Sequence, residues 1–142
     1  TFLRGVVERL RAQGKIVDII SKTHVASRQA GAGAVTADHW VRRYVLAGCP
    51  RCDVLWIDEI SQLDVGLWLQ INKLTTTGMQ FLLSGDFNQF APIGNNFGGA
   101  PVSEIAFEPS GLLHFLATGN QVVLTRRRRS EAEVVGVYSS LL

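Results

Sequence analysis

Apolar residues recur along the chain in two rhythms. At the start Phe2, Leu3, Val6, Val7 and Leu10 return every three to four positions between charged residues, which predicts an amphipathic helix over 1–13 closed by Gly14. Lys15 to Ile20 then predicts a strand, Thr23 to Ala30 a short helix, and Asp38 to Leu46 a helix with Thr36 or Asp38 as its N-cap. Asp53 to Ile57 is apolar without a break after its first residue, as expected of a parallel strand covered on both faces. Leu63 to Leu74 predicts a helix with Leu67, Trp68, Ile71 and Leu74 inward, and Gln80 to Leu83 a further buried strand. Beyond these come a short helix over Ser110 to Ala117, a strand over Gln121 to Leu124 and a helix over Glu131 to Leu142 interrupted by Gly136. Strands that alternate with helices argue for an open parallel α/β sheet. Residues 85–109 carry Gly85, Gly94, Gly98, Gly99, Pro92, Pro101 and Pro109 and predict a long loop, a feature that usually serves function.

Composition adds bounds. With 142 residues, 46% apolar and 18% charged, the chain is sized for one domain with a substantial core, and a disordered tail is excluded. A net charge of +2 permits a nucleic-acid partner without demanding one. Neither a run of eighteen apolar residues nor a secretory signal is present, so an intracellular, soluble setting without a membrane partner is expected. Cys49 and Cys52 form a single C-x-x-C without a second pair, which favours a plain turn before a strand over zinc or redox chemistry.

The candidate chemistry lies at strand ends. Asp58 and Glu59 close one apolar strand, and Gly85-Asp86-x-x-Gln89 follows the next. Open α/β sheets bind ligands at the carboxyl ends of their strands, so the two ends mark one shared site. Of two adjacent carboxylates, one can hold Mg²⁺ and the other polarise an attacking water, while the Gln89 amide can bond both water and phosphate. The bland alternative is a strand ending in solvated acids and a polar turn capped by Pro92. The phosphate cradle G-x-x-x-x-G-K-[S/T] does not occur in the chain. If Thr1 is the last residue of such a cradle, helix 1–13 is the one whose N-terminus receives the phosphates. Trp40, Trp56 and Trp68 are assigned to the core, and Arg126 to Arg129 form the one charge cluster, whose bland alternative is a solvated basic face or a targeting patch.

In order, Ser21-Lys-Thr23-His-Val-Ala-Ser27, Ala34-Val-Thr36-Ala-Asp-His39-Trp40, DVLWIDE (53–59), SGDFNQFAPIG (84–94) and Leu124 to Ser130 resemble the first motor domain of superfamily 1 helicases, especially the RecD-like branch. The similarity spans nearly the whole chain. The 53–59 segment resembles motif II, a generic signature, and the 84–94 segment resembles motif III, a more specific one. The resemblance implies that Asp58 coordinates Mg²⁺, that Glu59 activates the hydrolytic water, and that Gln89 senses the γ-phosphate and couples it to the nucleic-acid groove. Thr1 would be the Mg²⁺-binding hydroxyl, and Arg129, in a segment similar to motif IV, would reach the γ-phosphate. Thr23 matches the threonine of motif Ia. Thr36 and His39 resemble the T-x-H pair that contacts a single-strand backbone in the family, although they stand three apart where two is usual, and Thr36 serves as well for a helix cap.

The resemblance thus implies a RecA-like parallel sheet with flanking helices, the P-loop NTPase fold. Residues 1–142 would be a partial first motor domain carrying motifs Ia, II, III and IV, with the Walker A strand and the second motor domain of the same protein outside it. The implied activity is ATP- and Mg²⁺-dependent movement on single-stranded nucleic acid, DNA rather than RNA, with these residues inactive by themselves. Two alternatives remain: a catalytically dead nucleic-acid-binding or assembly scaffold, and a P-loop ATPase of another branch, such as an AAA-type remodeller or a viral packaging motor.

Overall fold

A computed structural model describes residues 2–23, 33–48, 50–87, 92, 94–102 and 111–124. Helix α1 (Phe2–Ala12) ends as its sequence demands. Gly14 takes a left-handed φ of 81°, its N–H donates to the Arg11 carbonyl, and the Lys15 N–H reaches back to Leu10, a pairing that satisfies carbonyls otherwise left open at a helix end. The chain then reverses into β1 (Val17–Ser21), and the Arg11 guanidinium donates to the Val17 carbonyl over 2.9 Å. That bond sets the C-terminal end of α1 at the start of β1, so the N-terminal end of α1 faces the carboxyl ends of the strands.

Next come β2 (Val35–Thr36) and α2 (Ala37–Trp40), which runs on as a π-helical turn over Val41–Val45. Strand β3 (Val54–Asp58) leads through a 3₁₀ turn at Ile60–Gln62 into α3 (Val65–Asn72), and a second 3₁₀ turn at Lys73–Thr77 precedes β4 (Gln80–Leu83). A small hairpin, β5 (Asn96–Phe97) and β6 (Ala100–Pro101), and a short helix, α4 (Leu112–Leu116), complete the described elements.

Four strands form one sheet in the order β2-β1-β3-β4, every neighbouring pair parallel. Alternation along the strands feeds two cores. Val17, Ile19, Val54 and Trp56 pack with Val7, Leu3 and Leu10 of α1 on one face. Ile20, Leu55 and Ile57 pack on the other with Trp40, Val41, Leu67, Trp68, Ile71, Leu74 and Leu116. Burial on both faces is why β3 reads as an unbroken apolar run rather than an alternating one. The inward assignment of Leu67, Trp68, Ile71 and Leu74 holds, as does that of all three tryptophans to the core.

The buried indoles need acceptors, and each of two finds one. Trp40 Nε1 donates to the Asp18 carboxylate over 2.7 Å, and Trp56 Nε1 donates to Ser84 Oγ over 2.8 Å. Of the two N-caps expected for the helix after residue 35, the structure selects Thr36, whose hydroxyl accepts from the His39 N–H.

The strand expected over Gln121 to Leu124 does not form, and Val122, Val123 and Leu124 stand 77%, 73% and 73% exposed. The outer edge of β4 pairs with no strand among the described residues, so this segment has no ladder to join and its β-branched residues cannot make a strand alone. The long loop is likewise broken by the β5–β6 hairpin. Of the helix expected over Thr23 to Ala30 only Thr23 is described, while the helix expected over 131–142 and Cys49 of the C-x-x-C lie outside the described residues.

Candidate active site at the carboxyl edge of the sheet

Parallel pairing brings polar residues into one row at the carboxyl edge. Ser21 of β1 stands opposite both Thr36 of β2 and Asp58 of β3, and Ser84 directly follows β4, where Leu83 pairs with Ile57. Asp58 lies two and four positions from Trp56 and Val54 and therefore shares the sheet face that α1 covers. The N-terminal end of α1, the positive end of its dipole, faces this same edge.

Asp58 is half-buried and oriented. Ser84 Oγ donates to its Oδ1 over 2.5 Å, while its other oxygen makes no hydrogen bond or ion pair among the described residues. Glu59 follows in a left-handed conformation, φ 53° and ψ 51°, which costs about 1–2 kcal/mol for a residue with a Cβ. Such strain persists only where its surroundings enforce it and clusters at functional sites. Burial, together with the adjacent Asp58 charge, raises the Glu59 carboxyl above its ordinary value. The Ser21 hydroxyl opposes that rise, although it is fully buried and falls short of a well-formed hydrogen bond to any partner.

Gly85 is needed for close packing rather than for a left-handed backbone. It does not adopt a positive φ. Its α-carbon instead presses on the neighbouring strand end, where an added Cβ would stand 2.7 Å from Ile60 Cγ1 and 2.8 Å from the Ile60 nitrogen. The Ile60 N–H donates to the Ser84 carbonyl over 3.0 Å. The absence of a side chain thus allows the segment after β4 to lie directly against Glu59 and Ile60.

On the far side of Ser21, a lysine gathers three elements. Lys22 Nζ lies 2.7 Å from the Asp64 carboxylate and 3.1 Å from that of Asp38. Asp64 is also the N-cap of α3, accepting from the Leu67 N–H over 3.0 Å. Burial works to raise Asp64, but the Lys22 and Leu67 hydrogen bonds reverse it and leave the carboxyl below its usual value. Burial likewise disfavours the Lys22 charge, and the two aspartates outweigh it, leaving Lys22 raised. Asn95, buried, ties the first turn of α3 to the chain after β6: its Oδ1 accepts from the Val65 N–H and its Nδ2 donates to the Val102 carbonyl.

Residues 1–114 match the family model described as AAA domain. The chain belongs to the AAA domain family. Its four-stranded parallel sheet with flanking helices is the α/β fold of that P-loop NTPase family. Comparison with curated proteins gives no match.

An AAA domain works on a nucleotide, generally with Mg²⁺, and the donor set here fits that ion in one specific way. No group of three or more His, Cys, Asp or Glu gathers among the described residues. Mg²⁺ needs no such group, because it keeps several waters and binds through one or two carboxylates and the phosphates of its nucleotide. Asp58, with one oxygen bonded and one open and no basic partner among the described residues, suits that task.

Of the residues expected at the site, Asp58 and Glu59 stand together at the end of β3, and Thr23, Thr36 and His39 lie along the same edge beyond Ser21. Thr23 and His39 are exposed, and Thr36 is engaged as a cap. Thr1, Gln89 and Arg129 lie outside the described residues, and Arg129 also lies beyond the matched segment. Ser84, Lys22, Asp64 and Asn95 are site-building residues that the sequence reading passed over. Asp64 carried a usable signal, an Asp directly ahead of an apolar helix, whereas Ser84, Lys22 and Asn95 acquire their roles only through partners at least 7 residues away. A cavity of about 290 Å³ lies elsewhere, at the amino ends of β3 and β4 against Cys52, Asp53, Gly78 and Gln80. Its Cys52 thiol is buried and pushed up to about 12, which makes it inert at neutral pH, and the Asp53 carboxylate is engaged by the Ile16 N–H.

Proposed function

We propose that this domain is the first motor domain of a helicase that hydrolyses ATP with Mg²⁺ to move along single-stranded DNA. One observation carries the reading: the G-D-x-x-Q segment leaves β4 in direct contact with the strand end that bears Asp58 and Glu59, through the Gly85 approach to Ile60. A residue that contacts both γ-phosphate and nucleic acid must sit beside the hydrolytic acids, and Gln89 follows Gly85 by four positions. The reading requires a phosphate cradle from outside these 142 residues, together with a second motor domain that closes on the nucleotide.

Within it, Asp58 would hold the ion through its second oxygen while Ser84 holds the first. Glu59 takes the proton of the attacking water. Gln89 would sense the γ-phosphate and couple it to the nucleic-acid groove, Thr1 would offer its hydroxyl to the ion, and Arg129 would reach the γ-phosphate. Bound Mg²⁺ would supply neutralisation of charge on the β- and γ-phosphate oxygens. Thr23, Thr36 and His39, on the β1–β2 side of the edge, would hold the DNA backbone.

ATP hydrolysis by the full-length protein, measured with and without oligo(dT), tests this. DNA is expected to stimulate hydrolysis, Glu59→Gln to reduce it by about 10²–10⁴-fold, as for loss of a general base, and Gln89→Ala to keep ATP binding while losing most of the stimulation. Hydrolysis indifferent to DNA, or surviving Glu59→Gln, would sink the motor reading.

A further inference from the structure

Trp56, Ser84 and Asp58 form a hydrogen-bonded relay whose direction is fixed by chemistry. An indole N–H can only donate. Trp56 Nε1 donates to Ser84 Oγ over 2.8 Å, so that oxygen acts as an acceptor on that side. A hydroxyl has a single hydrogen, and Ser84 directs its own to Asp58 Oδ1 over 2.5 Å. The tryptophan is 3% exposed and belongs to the packed face under α1, so the relay is anchored in the core. A serine on an exposed strand end would otherwise be free to rotate and to accept from water.

We propose that Ser84 is a positioning residue that holds Asp58 for a divalent cation, with Trp56 setting the direction of the Ser84 hydroxyl. The inference rests on the metal role given to Asp58 above. Ser84 ties down one carboxylate oxygen with a donor and leaves the other open, so the carboxylate cannot swing away from the edge when it receives the ion. The relay spans two strands, with Trp56 and Asp58 on β3 and Ser84 at the end of β4, so it also fixes the distance between the acid and the segment that leads to Gln89.

The test reads cation binding directly. Mn²⁺ is titrated into the full-length protein with ADP present, and free Mn²⁺ is followed by electron paramagnetic resonance. Loss of a hydrogen-bond partner to a metal ligand typically weakens affinity by about 10–100-fold, which is the expected effect of Ser84→Ala, with Ser84→Thr restoring most of it. Ser84→Ala also orphans the buried Trp56 N–H, a purely structural fault. The double variant Trp56→Phe/Ser84→Ala removes that orphaned donor but still denies Asp58 its own, so its Mn²⁺ affinity should stay low. Recovery of Mn²⁺ affinity in the double variant, or unchanged affinity in folded Ser84→Ala, overturns the inference. Asp58→Asn separates the two readings: if it leaves Mn²⁺ binding intact, the metal role of Asp58 fails, whereas if it weakens binding and the Ser84 variants do not, only the relay fails.

Discussion

Replacing Gly85 by Ala tests how closely the two strand ends must approach. Its Cβ would meet Ile60 Cγ1 at 2.7 Å, the Ile60 nitrogen at 2.8 Å and the Glu59 carbonyl carbon at 3.4 Å, and two of these atoms belong to backbone that cannot swing aside. Overpacking of that kind costs about 1–3 kcal/mol. Separating the strands also weakens the Ile60 N–H bond to the Ser84 carbonyl, worth about 0.5–1.5 kcal/mol. Against this, alanine stiffens the unfolded chain and returns about 0.4–1 kcal/mol, since no left-handed φ forbids it. The balance is a loss of about 2 kcal/mol. Urea unfolding of the domain, followed through the buried tryptophans 40, 56 and 68, should move its midpoint down by about 1 M at an ordinary slope for small proteins. Gly5→Ala is the internal control: nothing lies within 4 Å of its Cβ position inside α1, so the helix should gain about 0.5–1 kcal/mol. A Gly85→Ala midpoint at or above that of the parent, with Gly5→Ala gaining as stated, would refute the contact.

Asp64→Asn keeps an N-cap on α3 but removes the Lys22 partner, and should cost about 1 kcal/mol near neutral pH. Because the folded state lowers Asp64, its contribution is present above the ordinary carboxylate range and lost as pH falls through the lowered value; because it raises Lys22, that contribution is full below 10.5 and lost as pH rises through the raised value. The stability difference between parent and variant should therefore vanish at the acid extreme, and a difference that persists there in urea titrations would contradict the ion pair as its source. Thr36→Ala should lose about 1 kcal/mol with its cap, whereas Thr36→Asn should keep it. If oligo(dT) affinity of the full-length protein is unchanged in both, Thr36 has no place in the DNA interface.

Much of this architecture is legible in the residues because both faces of the sheet are covered. An unbroken apolar run such as 54–57 has few other fates, and the helix of Leu67, Trp68, Ile71 and Leu74 announces its inward face by spacing alone. The strand ends were readable for the same reason, since Asp58 and Glu59 interrupt that run abruptly. Failure came where the deciding partner is distant or lacking. Gln121 to Leu124 has strand-forming residues, yet strand formation needs a neighbour, which the sequence does not display. Ser84 carries no signal of its own along the chain, and only the fold reveals that a tryptophan 28 residues earlier donates to it. The reason for Gly85 was equally hidden, because close approach to Ile60 is a tertiary fact whereas a turn is a local one.

The Lys22 cluster has a mechanical consequence. One ammonium joins the end of β1, the first turn of α2 through Asp38 and the N-cap of α3 through Asp64. Shifting either helix alone against the sheet means parting charges at about 3 Å, so this flank of the edge resists deformation as one stiff bracket. The other flank, after β4, is joined to the acids by the Ser84 hydroxyl, the Ile60–Ser84 amide bond and the Gly85 contact. Both flanks of the acid pair are therefore clamped, one by charge and the other by hydrogen bonds and close packing, so that the end of β3 is held from either side.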